Sequence, residues 1–125
     1  MDDLTIAVVG ATGAVGTEFL KIVEEKYPNV HKMKLLASSR SAGKRITVNG
    51  REHVVEETTE NSLQGVDIAF ISVSTEMSRS LAPVAVAAGA VVIDDSSAFR
   101  MQPDVPLIVP EVNGADVEWH QGIIS

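Results

Sequence analysis

Four clusters of side chains in this sequence could do chemistry, and an apolar run leads into each. The first is Gly10-Ala11-Thr12-Gly13-Ala14-Val15-Gly16. It follows Ile6-Ala7-Val8-Val9 and precedes an amphipathic stretch, with Phe19, Leu20, Ile22 and Val23 on one side and Glu18, Lys21, Glu24 and Glu25 on the other. Strand, glycine turn and helix, in that order, suit a phosphate. Gly10 lets the chain turn sharply out of the strand. Gly13 lets backbone N–H groups come close to a phosphate, because no Cβ stands in the way, and Gly16 lets the helix pack tightly. The helix N-terminus then offers unpaired N–H groups and a positive dipole end to a pyrophosphate. The familiar fingerprint is G-x-G-x-x-G. Here the second glycine is displaced by one, and such a pattern alone is also compatible with a helix entry that binds nothing.

The second cluster is Ser38-Ser39-Arg40, with Lys44 behind it, at the end of Met33–Ala37. An NAD site normally has a carboxylate there to accept from the ribose hydroxyls. This loop has none. Its hydroxyls and forked guanidinium suit a 2′-phosphate instead, which favours NADP over NAD. The alternative is a solvated polar loop. The third cluster, Ser72-Val73-Ser74-Thr75, either lines the adenosine side of a cofactor or caps a helix. The fourth holds Asp94, Asp95, Ser96, Ser97 and Arg100. Arg100 is placed either to pair with Asp94 or Asp95 or to hold an anionic substrate.

Other chemistry finds little support. His31, His53 and His120 do not cluster in sequence and stand beside no nucleophile. There is no nucleophile elbow, metal-ligand spacing or P-loop lysine, and the sole tyrosine, Tyr27, has no lysine four residues on. No catalytic residue and no metal ligand is assigned. The absence of cysteine rules out disulfides, thiolate metal sites and a cysteine nucleophile within these residues, and points to the cytoplasm. A net charge of −7 argues against a nucleic-acid surface. No apolar run is long enough to span a membrane, and the acidic start Met1-Asp2-Asp3 is unlike a signal peptide.

The elements that must position these clusters read as follows. Leu4–Val9 is a strand and Gly13 to about Tyr27 a helix. Met33–Ala37 is the second strand. Ile46–Val48 and His53–Val55 flank Asn49-Gly50, the strongest short hairpin signal. A helical turn is expected near Asn61–Gln64. Val66–Val73 reads as a central strand buried on both faces. Ser78–Ala88 is helical, with Pro83 placing its start or a kink. Ala90–Ile93 and Ile123-Ile124 are strands, Leu107–Val109 a short strand, and Trp119 lies in a polar segment. The alternation predicts one dinucleotide-binding domain over residues 1–125. Its class is α/β, a Rossmann-like open, mostly parallel sheet with helices on both faces. All four clusters then lie at the carboxyl ends of strands, where ligands bind in such sheets.

Four blocks in this order resemble aspartate-semialdehyde dehydrogenase. They are Val8–Gly16, Leu36–Gly43, Asp94–Arg100, and Pro103-Asp104-Val105-Pro106-Leu107-Ile108-Val109-Pro110-Glu111-Val112-Asn113. The resemblance covers nearly all of this chain and only the N-terminal part of that enzyme. It implies NADPH-dependent reduction of β-aspartyl phosphate to aspartate semialdehyde and phosphate, on the route to lysine, methionine, threonine and diaminopimelate. It also implies that Thr12, Gly13, Ala14 and Val15 hold the pyrophosphate, that Arg40 and Ser41 hold the 2′-phosphate, and that Arg100 binds substrate phosphate. The whole enzyme would be a homo-oligomer.

Two departures stand out. The family's Asp-Asn-Ser-Ser reads Asp94-Asp95-Ser96-Ser97, and an ionised Asp95 repels a phosphate unless its carboxylate turns toward Arg100. The family's nucleophile is a cysteine just beyond a segment like Gly122-Ile123-Ile124, and here the sequence stops at Ser125. A cofactor-binding part that does not turn over alone is therefore expected. The competing readings are the cofactor domain of N-acetyl-γ-glutamyl-phosphate reductase, which the Ser38–Gly43 and Asp94–Arg100 blocks fit less well, and a non-catalytic NADP-binding sensor module.

Overall fold

The computed structural model describes residues 3–125, and strand and helix alternate through it. β1 (Ile6–Val9) leads into α1 (Ala14–Lys26) and then β2 (Met33–Ala37). β3 (Arg45–Val48), β4 (Arg51–Val54) and β5 (Glu56–Glu57) follow. β6 (Ile68–Ile71), α2 (Thr75–Ala87) and β7 (Val91–Asp94) come next, and α3 (Pro110–Asn113) and β8 (Ile123–Ile124) complete the order. The main sheet runs β5-β2-β1-β6-β7-β8, and every pairing in it is parallel. This is the Rossmann-like α/β sheet that the alternation implies.

β1 anchors it. All four of its residues are buried, and successive side chains point to opposite faces. Ile6 and Val8 pack with Leu20 and Val23 of α1. Ala7 and Val9 pack with Ala82 and Ala85 of α2. Burying one such aliphatic side chain contributes about 1.5–3 kcal/mol. The loop at the end of β1 is thus held from both faces.

The hairpin β3–β4 stands apart as its own two-stranded sheet. Asn49 and Gly50 at its tip both have positive φ, 52° and 77°, as a two-residue primed turn requires. Asn49 also does tertiary work. Its Nδ2 donates to the carbonyls of Tyr27 (2.9 Å) and Val30 (2.8 Å), satisfying acceptors at and beyond the end of α1.

Several elements differ from expectation. α2 opens at Thr75, and Pro83 lies within it. Pro83 is solvent-exposed, so the carbonyl that its missing N–H leaves free can reach water. The strand expected over Val66–Val73 is only Ile68–Ile71, and it is not buried on both faces, since Ile68 and Phe70 are half-buried. β1 has that property instead; α1 lies over it and, through Phe19 stacked on Phe70, over part of β6, while Ile93 on the same side of β7 is 38% exposed. Leu107–Val109 is not a strand. One pair of backbone bonds, Ile108 N–H to Ser125 and Ser125 N–H to Pro106, ties it to the end of β8, and Pro110 then starts α3. A 3-10 turn occupies Glu60–Leu63, close to where a helical turn was expected. Trp119 ends a 3-10 segment, Gly114–Trp119. Among the described residues no helix is long and apolar enough to cross a membrane.

One histidine couples the hairpin to pH. Burial lowers the pKa of His53, and the charges of His31 and Arg51 lower it further. Its Nε2 is buried without a partner. The fold therefore favours the neutral ring, and the unfolded chain binds more protons. This stabilisation is complete above the ordinary histidine pKa of about 6.5 and is lost as pH falls below it. Thermal unfolding followed from pH 7.5 to 5 should show a falling Tm. In His53→Asn the fall should be shallower; an identical slope would deny His53 this role.

Candidate functional site

The glycine turn sits at the carboxyl end of β1, between the loops that follow β2 and β6. Gly10 has φ +88°, and a Cβ there would lie 2.1 Å from the Ser72 carbonyl oxygen at the end of β6. Its N–H and that of Ala11 both donate to the Leu36 carbonyl, at 2.9 and 3.1 Å. Gly10 thus joins the ends of three adjacent strands. Gly16 is buried in the first turn of α1, where a Cβ would lie 2.2 Å from the Gly10 carbonyl oxygen. The third glycine lets α1 close onto the turn itself.

Gly13 differs. It is the residue before α1, with φ −76°, and a Cβ there would have only the Gly10 carbonyl oxygen nearby, at 3.4 Å. Sterically an alanine fits. What Gly13 leaves is open space over the start of α1. No side chain caps that helix and no acidic residue lies in its first turn, so its leading N–H groups and dipole are uncompensated. Ala14 and Val15 are exposed there, Val15 at 52%. An open cradle at an uncapped helix start fits a phosphate group.

The structure brings the first two clusters together. Thr12 Oγ1 donates to Ser41 Oγ at 3.3 Å, bridging the glycine turn and the loop after β2. Ser38, Ser39 and Arg40 are exposed on that loop, which is folded by Ser41 and Ala42 N–H groups donating to the Ser38 carbonyl. Among the described residues the Arg40 guanidinium has no ion-pair partner, and Arg40 lies on the loop that the Thr12–Ser41 bond joins to the glycine turn.

On the other side of β1, Ser74 caps α2, its Oγ accepting from Met77 N–H at 3.2 Å. The cap is Ser74 rather than Thr75. Thr75 shares a hydrogen bond of 3.0 Å with Ser97 and so joins this loop to the fourth cluster.

In that cluster, of the two roles open to Arg100, an ion pair with Asp94 or Asp95 is not formed. Asp94 is buried, and its carboxylate accepts from the N–H of Ser96 at 3.3 Å and from Ser96 Oγ at 2.7 Å. The carboxylate of Asp95 turns to Ser72, whose Oγ donates at 2.8 Å, and not to Arg100. Arg100 instead donates from Nη2 to the Asp95 carbonyl at 3.0 Å, its side chain otherwise exposed. Sequence reading missed Ser72 and Ser97 as partners, since each pairing spans more than twenty positions and only the alignment of β6 with β7 creates it. The histidines take no part, and among the described residues no three His, Asp or Glu side chains gather as metal ligands would.

Comparison with known proteins gives a consistent set of likenesses. The family description "Semialdehyde dehydrogenase, NAD binding domain" matches residues 5–120. Aspartate-semialdehyde dehydrogenase of Bacillus subtilis is 50% identical over 122 residues, which is 98% of this chain and 35% of that protein. The chain thus spans about a third of the length of the curated relatives it matches. Among solved structures, aspartate semialdehyde dehydrogenase II of Vibrio cholerae, complexed with ASA, superposes with a TM-score of 0.91 at 42% identity, over 96% of this chain and 40% of that one. The enzyme of Candida albicans with NADP superposes with a TM-score of 0.76 at 31% identity, over 92% of this chain and 36% of that one.

Proposed function

The chain belongs to the semialdehyde dehydrogenase NAD-binding domain family, and on that premise we propose that it holds NADP for an aspartate-semialdehyde dehydrogenase. The reaction is reduction of β-aspartyl phosphate to aspartate semialdehyde and phosphate, a step toward lysine, methionine, threonine and diaminopimelate. The observation that carries the cofactor assignment is the Thr12–Ser41 bridge. It links the turn before the uncapped start of α1 to the loop that carries Arg40, and that proximity supports a dinucleotide with an extra phosphate.

In this reading the backbone of Thr12, Gly13, Ala14 and Val15 holds the pyrophosphate, with Gly10 setting the turn. Ser38, Ser39, Arg40 and Ser41 hold the 2′-phosphate, and Ser74 and Thr75 border the adenosine side. Bound NADPH supplies the hydride. Arg100 presents its remaining N–H groups to the substrate phosphate. Asp95 is tied to Ser72 and not to Arg100, so its carboxylate still opposes a phosphate there, and Arg100 has to outweigh that repulsion. With no cysteine in the sequence, the nucleophile that forms the thioester comes from polypeptide outside these residues. The chain alone binds cofactor and does not turn over. The complete enzyme works in the cytoplasm as a homo-oligomer on a small-molecule substrate, without nucleic acid or membrane.

Titration of the chain with reduced cofactors, followed by nicotinamide fluorescence, tests the assignment. NADPH should bind about tenfold or more tightly than NADH, the scale of one charge-assisted hydrogen bond. Equal affinity would refute the 2′-phosphate site.

A further inference from the structure

The tip of the β3–β4 hairpin holds a reactive pair of residues. Asn49 precedes Gly50, and both have positive φ. The amide carbon of an asparagine is open to attack by the backbone nitrogen of the next residue, and a glycine leaves that nitrogen unshielded. Gly50 is exposed, and a Cβ built on it would meet nothing within 4 Å. Among the described residues its N–H has no backbone acceptor. The nucleophile is therefore at hand.

The fold withholds the electrophile. Asn49 Nδ2 donates to the carbonyls of Tyr27 and Val30, and the Asn49 N–H donates to Glu24 Oε1 at 3.2 Å. These bonds fix the side chain on the end of α1. Attack needs the amide carbon to swing round to the Gly50 nitrogen, so the reaction waits for the hairpin to open.

We infer that Asn49-Gly50 is a deamidation site which the folded hairpin keeps latent, and that its reaction releases the hairpin irreversibly. The Gly50 nitrogen bonds to the Asn49 side-chain carbon, and the amide nitrogen leaves as ammonia, taking up the Gly50 proton. Water then opens the resulting succinimide at either carbonyl, giving aspartate or isoaspartate. No oxidant or second substrate is involved. In both products a donor that bridged two carbonyls has become a carboxylate, which accepts and cannot donate. The carbonyl of buried Val30 loses its partner, and a negative charge arises near the Glu24 carboxylate. Isoaspartate also adds a carbon to the main chain, which a two-residue turn between paired Val48 and Arg51 does not absorb.

Incubation of the chain at mildly alkaline pH, in buffer and in urea, tests this, with peptide mapping to follow each asparagine and enzymatic methylation to detect isoaspartate. In urea Asn49 should react at a rate like that of Asn113, the other asparagine before a glycine, because only local sequence acts there. In buffer Asn49 should react at least about tenfold more slowly, in proportion to how seldom the hairpin opens. Chains that have reacted at Asn49 should melt several degrees lower or no longer fold. Asn49→Asp should lose more stability than Asn49→Ala, which removes the donor without adding charge. Equal rates in buffer and urea, no reaction at Asn49 in urea, or a reacted chain with an unchanged Tm would each overturn the inference. The rate comparison uses wild type alone, so it decides even if Asn49→Asp does not fold.

Discussion

Gly10→Ala should unfold this chain at room temperature or come close to it. Its methyl would lie 2.1 Å from the Ser72 carbonyl oxygen and 3.0 Å from the carbonyl carbon, atoms of a neighbouring strand's end rather than of a side chain that can swing away. The residue would also keep a positive φ that alanine disfavours. Backbone displacement and conformational strain together cost about 3–5 kcal/mol, a large part of what a domain this size has. Urea denaturation measures it, and a midpoint within error of wild type would refute the packing described here. Gly13→Ala is the informative partner. A Cβ at Gly13 meets nothing closer than 3.4 Å, so stability should change by only about 0.5 kcal/mol, the difference between glycine and alanine before a helix. The methyl would nevertheless stand in the open cradle, and NADPH affinity should fall. Two glycines three residues apart thus separate folding from binding.

Arg40→Ala carries the second large effect. The guanidinium has no carboxylate partner to lose, so stability should stay within about 0.5 kcal/mol of wild type. NADPH binding should weaken by about 10- to 100-fold, corresponding to a charge-assisted bond of about 1.5–3 kcal/mol, with the lower end favoured because the group is exposed. NADH binding should not change. Arg40→Lys should recover part of the loss, since a point charge replaces a two-pronged donor. Parallel loss of both cofactors in Arg40→Ala would place the arginine elsewhere than on the 2′-phosphate.

The parts of this fold that were legible in sequence are those governed by local rules. Ile6–Val9 running into Gly10 announces strand and turn, and Asn49-Gly50 announces its hairpin, because glycine placement and side-chain periodicity act over a few residues. Met33–Ala37 appears with the boundaries read from sequence. Pro83 does not mark the start of α2, which opens at Thr75 with Ser74 as its cap, because an exposed proline can be carried inside a helix. The burial of Val66–Val73 was overestimated for a similar reason. An apolar run tells what could be buried, while α1 covers only part of one face of the sheet. β5, Glu56–Glu57, could not be foreseen. It is a charged pair that becomes a strand only because β2 offers it a free edge beside Leu36 and Ala37.

The candidate site divides in the same way. Residue types identified the glycine turn and the Ser38–Arg40 loop. Their meeting through Thr12 and Ser41 needed the register of β1 against β2, in which Val9 lies opposite Leu36. Arg100 was singled out, but its partner was not. Asp94 and Asp95 bond to Ser96 and Ser72, and Arg100 donates to the Asp95 carbonyl, pairings that residue types alone do not rank.

The all-parallel main sheet also dictates an order of assembly. Parallel neighbours cannot be joined by a tight turn, so each of its ladders waits for a crossover to close. The β3–β4 hairpin faces no such delay and can form in about 1–10 μs. Asn49 at its tip then has only to find the Tyr27 and Val30 carbonyls, some twenty residues away. The contacts that bring Gly10 against Ser72 span more than sixty positions. In refolding, the hairpin should gain protection from hydrogen exchange first. The phosphate cradle should be among the last features to exist, because it is made where distant strand ends finally align.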